Sequence, residues 1–583
     1  MPILQPIVNL AELLYQKGIQ DVVISPGSRS APLTLAVARH PRLRTHVIPD
    51  ERSAGFIALG LAGQSGRPVA VICTSGSAVY NLSPAVVEAY FNEVPLVLLT
   101  ADRPREWVHQ LDGQTIVQAN LFGPHVKRSA ELPADYEHPD ARWFIERTAN
   151  ELINLCQTAP AGPVHLNVPL REPFYPRTDE SFRYGPVRVI EQLPAEPQLP
   201  RSVWHRLLDE WEGSDRTLLV VGQLPATPLL TAVLSRFSNE LGVPVVGEVI
   251  SNLPQTDSFI TQTDTFLGSG HETLYRALQP ELLITLGRSL LTRNLKTFLR
   301  QFPAGRHWHI QPATERLADP FRTLTTLIPA EPLPFLETLF ADLDYNRFRQ
   351  GDDEDDERTY LNRWQAADRQ ARALVQRHVR QTADLTDWSA TQQVIDALPA
   401  GSVLHLANSM PVRYANLCGL PDRQRDGEPI AVWANRGTSG IDGCLSTAVG
   451  AALATDRIVT LLVGDVAFFY DRNGLWNSKL PANLRIVLFN NAGGHIFRMI
   501  DGPAQQPELE TYFETPHSLT AERTAADHGL TYGHVATLEA LTTALPAFFA
   551  PGQQAKLLEI RTDKRRNAED FARYKALVRE QFR

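Results

Sequence analysis

Short apolar runs of strand length alternate with helix-length segments in three successive blocks of this chain, and that alternation dictates parallel sheets covered by helices. The first block carries DVVISPG (21–27), PVAVICTSG (68–76), VPLVLLTAD (94–102) and GPVHLNVPL (162–170). The second carries RTLLVVGQL (216–224), GVPVVGEV (242–249) and ELLITLGRSL (281–290), and the third SVLHLAN (402–408), RIVTLLVGD (457–465) and LRIVLFNN (484–491). A chain of 583 residues is too long for one hydrophobic core. The expected fold is α/β: three doubly wound parallel-sheet domains. A first domain is expected over 1–185, a central one over 201–345, an acidic linker and helix over 346–384, and a last domain over 385–583. The Pro- and Glu-rich stretch 186–200 reads as a linker, and GDDEDDE (351–357) as the edge of another, because so dense an acidic run is solvated.

The first and third blocks correspond. Setting Ser75 on Asp465 places VAVICTSG over VTLLVGD, and without a gap Ala101 then falls on Asn491. The preceding helices, GFIALGLAGQSGRP and CLSTAVGAALATDR, match in kind. Two similar domains with a third between them point to duplication.

The net charge of −9 argues against nucleic acid as the main partner. The four cysteines, Cys73, Cys156, Cys418 and Cys444, form neither a disulfide framework nor a zinc pattern. No apolar run has the length of a membrane span, and residues 1–20 lack the pattern of a signal peptide. A cytoplasmic protein is expected.

The segment GDVAFFYDRNGLWNSKLPANLRIVLFNNAGGHIF (464–497) carries the chemistry. Gly464-Asp465 closes one apolar strand and Asn490-Asn491 the next, with Gly493-Gly494 following. Loops at the carboxyl ends of neighbouring parallel strands meet at one crevice, so Asp465 and Asn491 can lie side by side. A carboxylate, an amide oxygen and the carbonyl of Gly493 make a hard oxygen set of the kind Mg²⁺ prefers, with diphosphate oxygens as further ligands. Glycines let backbone approach phosphate closely. This spacing resembles the GDG…NN pattern of thiamine-diphosphate enzymes, with Val466 in place of the last glycine. The resemblance implies a role for Glu51, which stands just before an apolar helix. In those enzymes a glutamate so placed shares a proton with the cofactor's aminopyrimidine, while the cofactor serves as electron sink.

SPGSRSAPLTLA (25–36), DERSAGFIALGLA (50–62), TSGSAVYNLSPAVVEA (74–89), LTADRP (99–104), ANSMPVR (407–413), NRGTSGIDG (435–443) and NNAGGHIF (490–497) together resemble one subfamily. It is the 2-succinyl-5-enolpyruvyl-6-hydroxy-3-cyclohexene-1-carboxylate synthases of menaquinone and phylloquinone biosynthesis. The resemblance implies a transferase that joins 2-oxoglutarate to isochorismate with loss of CO₂, using thiamine diphosphate and Mg²⁺ (or Mn²⁺), as a homodimer or dimer of dimers. Both substrates are dianions, and arginine forks suit carboxylates. By resemblance, Ser409, Arg413 and Arg436 would hold the succinyl carboxylate, and Ser28, Arg29, Arg103 and Gln114 would face isochorismate. Ile441 would prop the cofactor, and Ile496 and Phe497 would wall the pocket. Asn408 should lie near this group. Gly113 stands where relatives often have Asn. Arg293 is the first candidate for a middle-domain cation, with Lys296 as the alternative.

Two other readings compete. An acetolactate-synthase-like carboligase would usually bind FAD in its middle domain, which here lacks G-x-G-x-x-G after a strand. A catalytically dead binding scaffold would have no need of Glu51, Asp465 and Asn491.

Overall fold

The computed structural model describes residues 4–172, 175–176, 181–194, 199–312, 316–350, 355–421, 429–500 and 502–583. Residues 195–198 of the first expected linker and 351–354 of the acidic run lie outside the described residues. A helix, Asp355–Gln381, follows that run.

Three parallel sheets carry the fold. The first comprises β1 (Asp21–Ile24), β2 (Arg44–Val47), β3 (Val69–Cys73), β4 (Leu96–Asp102), β5 (Ser129–Glu131) and β6 (Val164–Pro169). The central sheet has β7 (Thr217–Val221), β8 (Val245–Gly247), β9 (Leu282–Leu286), β10 (Arg306–Gln311) and β11 (Thr326–Pro329). The third has β12 (Val403–Leu406), β13 (Ala431–Ala434), β14 (Val459–Gly464), β15 (Leu484–Asn490), β16 (Thr531–Val535) and β17 (Lys556–Arg561). Strand order is 2-1-3-4-6-5 in the first sheet and 13-12-14-15-17-16 in the third, the same path walked twice. Central strands such as β3 and β4 are buried along their whole length, which is why they read as unbroken apolar runs.

The duplication is visible in atomic contacts. Helix Glu51–Ser65 is buried from Ser53 to Ala62 and lies against helix Cys444–Leu453. A Cβ on Gly60 would stand 2.0 Å from the carbonyl oxygen of Thr447, and one on Gly450 would stand 2.0 Å from that of Ile57. The offset that sets Ser75 on Asp465 also exchanges Ile57 for Thr447 and Gly60 for Gly450. The two contacts are therefore one contact seen from both sides, and only glycine lets the backbones approach so closely.

The gap-free overlay fails at the second strand. β3 and β4 pair Val69 with Leu96, whereas β14 and β15 pair Val459 with Leu484. The second strand is displaced by two residues, so Arg103, not Ala101, is the equivalent of Asn491.

The central sheet is tied to the third domain. Gln223 Nε2 donates to the Ala434 carbonyl at 2.8 Å, Ser289 Oγ donates to the Arg436 carbonyl at 2.7 Å, and Val432 N donates to Asn252 Oδ1 at 2.7 Å.

Candidate active site

The carboxyl ends of β14 and β15 meet as the loop argument requires. Asp465 opens a short helix, Asp465–Tyr470, and is buried. Its Oδ2 accepts hydrogen bonds from Asn491 N at 3.1 Å and Gly493 N at 3.0 Å, and its Oδ1 accepts one from Val466 N at 2.7 Å. The 491–493 loop is thus folded around the carboxylate. Val466 lies in the first helical turn and has no positive φ, so a valine fits where the pattern has glycine. Gly493 has φ +153°, and a Cβ there would lie 2.6 Å from the carbonyl oxygen of Glu514. His517 Nε2 stands 3.4 Å from Asp465 Oδ2, and that carboxylate pushes the imidazole pKa up against the opposing effect of burial.

The residues present fit a divalent cation. Asn491 Oδ1 is buried without a hydrogen-bond partner, while Nδ2 of the same amide donates to Asp387 Oδ2 at 2.8 Å. An orphaned amide oxygen beside a buried carboxylate is the donor set Mg²⁺ takes. Asp387 also accepts from Thr562 Oγ1, and burial pushes its own carboxyl up.

Glu51 is the first residue of its helix, which Asp50 caps by accepting from Arg52 N at 2.9 Å and Ser53 N at 3.2 Å. The half-buried Glu51 lies close enough to Cys73, at the end of β3, that its charge adds to the burial raising that thiol's pKa.

The arginines fall into two groups. In the first domain, buried Arg29 donates from Nη1 to the Leu170 carbonyl at 3.0 Å. Arg103 grips the Gly113 carbonyl through Nε at 3.2 Å and Nη2 at 3.1 Å and pairs with Asp112 at 2.7 Å. Gly76 packs 3.2 Å, by its would-be Cβ, from the Cα of Gln114, which itself has φ +54°. Burial and the nearby Arg103 charge both lower the Arg29 pKa. The structure therefore gathers Arg29, Arg103 and the Gln114 loop at the ends of β1, β3 and β4, with Ser28 exposed beside Arg29.

In the third domain, Arg413 donates to the Ser409 carbonyl at 2.5 Å, and Arg436 Nη1 donates to Asn408 Oδ1 at 2.9 Å. Asn408 Nδ2 in turn bonds the carbonyls of Asn435 and Gly440, both at 2.7 Å, which makes it the hub of this loop cluster. Ser409 holds φ +79°, a strained position for a residue with a side chain. Burial lowers the Arg413 pKa and the neighbouring Arg436 lowers it further, against Asp264. Arg436 Nε is buried without a hydrogen-bond partner. Arg293 is exposed at the start of its helix. Lys296 Nζ donates to the Leu290 carbonyl at 3.1 Å, and burial pushes its ammonium down, against Glu248, with the Arg436 and Arg413 charges adding to the effect.

Ile441 packs at the edge of the core shared by the first and third domains, and Ile496 against the core beneath the central one. Phe497 packs on Phe513 with ring centroids 5.7 Å apart.

Several participants have no role assigned from the sequence. Glu88, fully buried in the first domain, accepts from Gly437 N at 2.8 Å and from Thr438 N and Oγ1 at 2.7 Å each, so it grips the loop bearing Arg436 and Ile441. Glu248 accepts from Leu291 N and from Thr292 N at 2.7 Å. Gln118 receives Gly76 N at 2.9 Å and donates to the Ala101 carbonyl at 3.1 Å. Only a motif holding both ends of such a contact would have revealed them.

This fold, with its duplicated outer sheets and an oxygen-lined loop at the ends of β14 and β15, defines a thiamine-diphosphate-dependent enzyme. Residues 9–121 match the family of thiamine pyrophosphate enzymes, N-terminal TPP binding domain, and residues 192–406 match the middle domain of thiamine pyrophosphate enzymes. The chain superimposes with TM-score 0.71 on the X-ray structure of a proposed thiamin diphosphate-dependent enzyme isolated from Mycobacterium smegmatis, at 18% identity over 96% of this chain and 99% of that one. The particular family follows from closer relatives. The chain is 42% identical to the 2-succinyl-5-enolpyruvyl-6-hydroxy-3-cyclohexene-1-carboxylate synthase of Cytophaga hutchinsonii over 99% of this chain and 100% of the relative. It is 38% identical to that of Porphyromonas gingivalis (96% and 94%) and 36% identical to that of Bacteroides fragilis (96% and 97%). The chain belongs to the 2-succinyl-5-enolpyruvyl-6-hydroxy-3-cyclohexene-1-carboxylate synthase family.

Proposed function

We propose that this chain joins 2-oxoglutarate to isochorismate, releasing CO₂ and forming 2-succinyl-5-enolpyruvyl-6-hydroxy-3-cyclohexene-1-carboxylate. Full-length likeness to relatives of that name supports the reaction. The observation that carries the site is the unpartnered Asn491 Oδ1 beside the Asp465 carboxylate. Asp465, Asn491 and the Gly493 carbonyl would hold Mg²⁺, or Mn²⁺ with the same hard ligands. Thiamine diphosphate, when bound, supplies the electron sink for loss of CO₂ and for carbon–carbon bond formation. Gly464 and Val466 flank the metal carboxylate, and Ile441, Ile496 and Phe497 wall the cofactor. Glu51 holds and shares a proton at the pyrimidine. Arg413, Arg436, Ser409 and Lys296 bind the 2-oxo acid. Arg29, Arg103, Ser28 and Gln114 bind the second dianion.

A homodimer, or a dimer of dimers, is the proposed active unit. Large apolar side chains stay exposed near the carboxyl ends of the outer sheets: Tyr80, Trp107, Leu111 and Val117 in the first domain, Tyr470 and Trp476 in the third. Exposed large apolar side chains in these segments are in keeping with a protein contact. No described helix is long and apolar enough to cross a membrane, and the cysteines are free, in keeping with the cytoplasm.

The test is an assay with both substrates, with and without thiamine diphosphate and Mg²⁺. Product that requires both additions is expected. Turnover of pyruvate in place of 2-oxoglutarate would favour an acetolactate-synthase-like enzyme, and no turnover of either would favour a scaffold.

A further inference from the structure

We infer that Glu514 is a positioning residue for the loop that would hold the metal and diphosphate, and that it braces that loop and the pocket wall together. The inference rests on the cofactor reading above. Glu514 ends a π-helical turn, Leu509–Glu514, and its side chain is fully buried. Single π-turns often mark functional sites.

Both its backbone and its carboxylate face the 491–498 segment. The Glu514 carbonyl accepts from Gly494 N at 2.7 Å, and the same oxygen is the atom that excludes a Cβ at Gly493. Oε1 receives Arg498 Nε at 2.6 Å, and Oε2 receives Arg498 Nη2 at 2.8 Å, a two-pronged pair. Lys564 Nζ lies 3.4 Å from Oε2. His495 places Nδ1 at 3.3 Å from Oε1 and donates from Nε2 to the carbonyl oxygen of Asn491 at 2.5 Å. The chain of contacts therefore runs from Glu514 through His495 to Asn491, whose side chain offers the free oxygen. Arg498 sits on the helix Ile496–Met499 that carries Ile496 and Phe497, so the same carboxylate fixes the wall. Burial alone would raise the Glu514 pKa, but Arg498 and His495 hold it down at about 2. Ala492, at φ +67°, and Thr515, at φ +46°, turn the backbone sharply beside these contacts.

Removing the charge would leave Arg498 and Lys564 with only Glu510 as a shared carboxylate, and would take away the carboxylate that His495 Nδ1 faces. Groups that orient metal ligands in this way typically account for about 10–100-fold in metal affinity. The experiment titrates the full-length apo protein calorimetrically with Mg²⁺ and thiamine diphosphate, and measures the apo melting temperature alongside. Glu514→Gln is expected to weaken Mg²⁺-dependent cofactor binding by ~10–100-fold, and Glu514→Asp to recover part of it. Arg498→Met, at a more accessible position, should weaken binding in the same direction and serves if Glu514→Gln does not fold. Wild-type affinity in Glu514→Gln, or in Arg498→Met where the first does not fold, overturns the positioning role. So does a lowered melting temperature without a change in affinity. If wild type binds no thiamine diphosphate at all, the cofactor reading falls and this role with it.

Discussion

Asn491 donates from Nδ2 to Asp387 Oδ2 at 2.8 Å, which turns the opposite atom of the amide, Oδ1, into the buried space beside Asp465. A carboxylate can only accept, so Asp387 dictates which end of the amide faces the site. Thr562 Oγ1 and Asn567 fix Asp387 in turn, the latter by accepting Asp387 N at 2.9 Å through its side chain. Asp387→Ala frees the amide to rotate and should weaken Mg²⁺-dependent cofactor binding by about 10–100-fold. Calorimetric titration reads this directly, and unchanged affinity would remove the orienting role.

What the sequence made legible was local. Glu51 heads a helix, Asp465 and Asn491 end adjacent strands, Arg29, Arg103 and Arg436 sit in loops after strands, and Arg413 lies in the first turn of the helix Met410–Cys418, so short motifs expose them. Asp387 and Glu514 are distant from Asn491 in sequence, and each looks like a helix-end acid until the fold closes. The missed two-residue displacement between β4 and β15 has a definite cause. Side chains in a strand alternate with period two, so a slip of two leaves every face unchanged and the apolar pattern cannot register it. The helix pair was different: Gly60 and Gly450 are spaced by contact with backbone, and the same offset holds there.

Asp471 makes stability depend on pH. It accepts from Ser446 N and Ser446 Oγ, both at 2.7 Å, and lies 3.8 Å from Arg52 across the junction of the outer domains. Burial pushes its carboxyl up to about 7, with the Ser446 hydrogen bonds and Arg52 only partly opposing. In an unfolded chain the group titrates near ~4. The folded state therefore keeps a proton that the unfolded state loses, and this contribution is full below about pH 4 and lost as pH rises towards about 7. Asp471→Asn should flatten that fall. Urea midpoints measured from about pH 4 to about pH 7, the interval between the unfolded and folded values, test it, and a wild-type slope in the variant would refute the assignment.

Glu51→Gln should retain cofactor binding and slow proton exchange at the cofactor's thiazolium carbon. An amide at the head of this helix keeps the size of the side chain and the Asp50 cap, but it cannot share a proton as a carboxyl does. Acid–base groups commonly contribute ~10²–10⁴-fold in rate. Deuterium exchange followed by NMR is the measurement; exchange at the wild-type rate would exclude the role.

The two arginine groups should divide the reaction between them. Arg413, in the helix Met410–Cys418, and Arg436, in the loop after β13, stand close enough to repel as like charges, with Asn408 bonded to Arg436. Arg29 and Arg103 crowd one another at the strand ends of the first domain. Like charges held this close are most comfortable with an anion between them, and each substrate brings carboxylates. On the proposed assignment, the 2-oxo acid is expected on the third-domain side, where CO₂ would leave, and the second substrate at the first-domain group. Losing one member of a buried charge-assisted pair costs roughly 2–5 kcal/mol, or on the order of 30- to several-thousand-fold in affinity. Single-turnover decarboxylation of 2-oxoglutarate without isochorismate isolates the first half of the reaction. It should collapse in Arg413→Ala and survive in Arg29→Ala, whose loss should appear only when isochorismate is added. If the two variants decarboxylate equally well, or fail equally, the division between the groups is wrong.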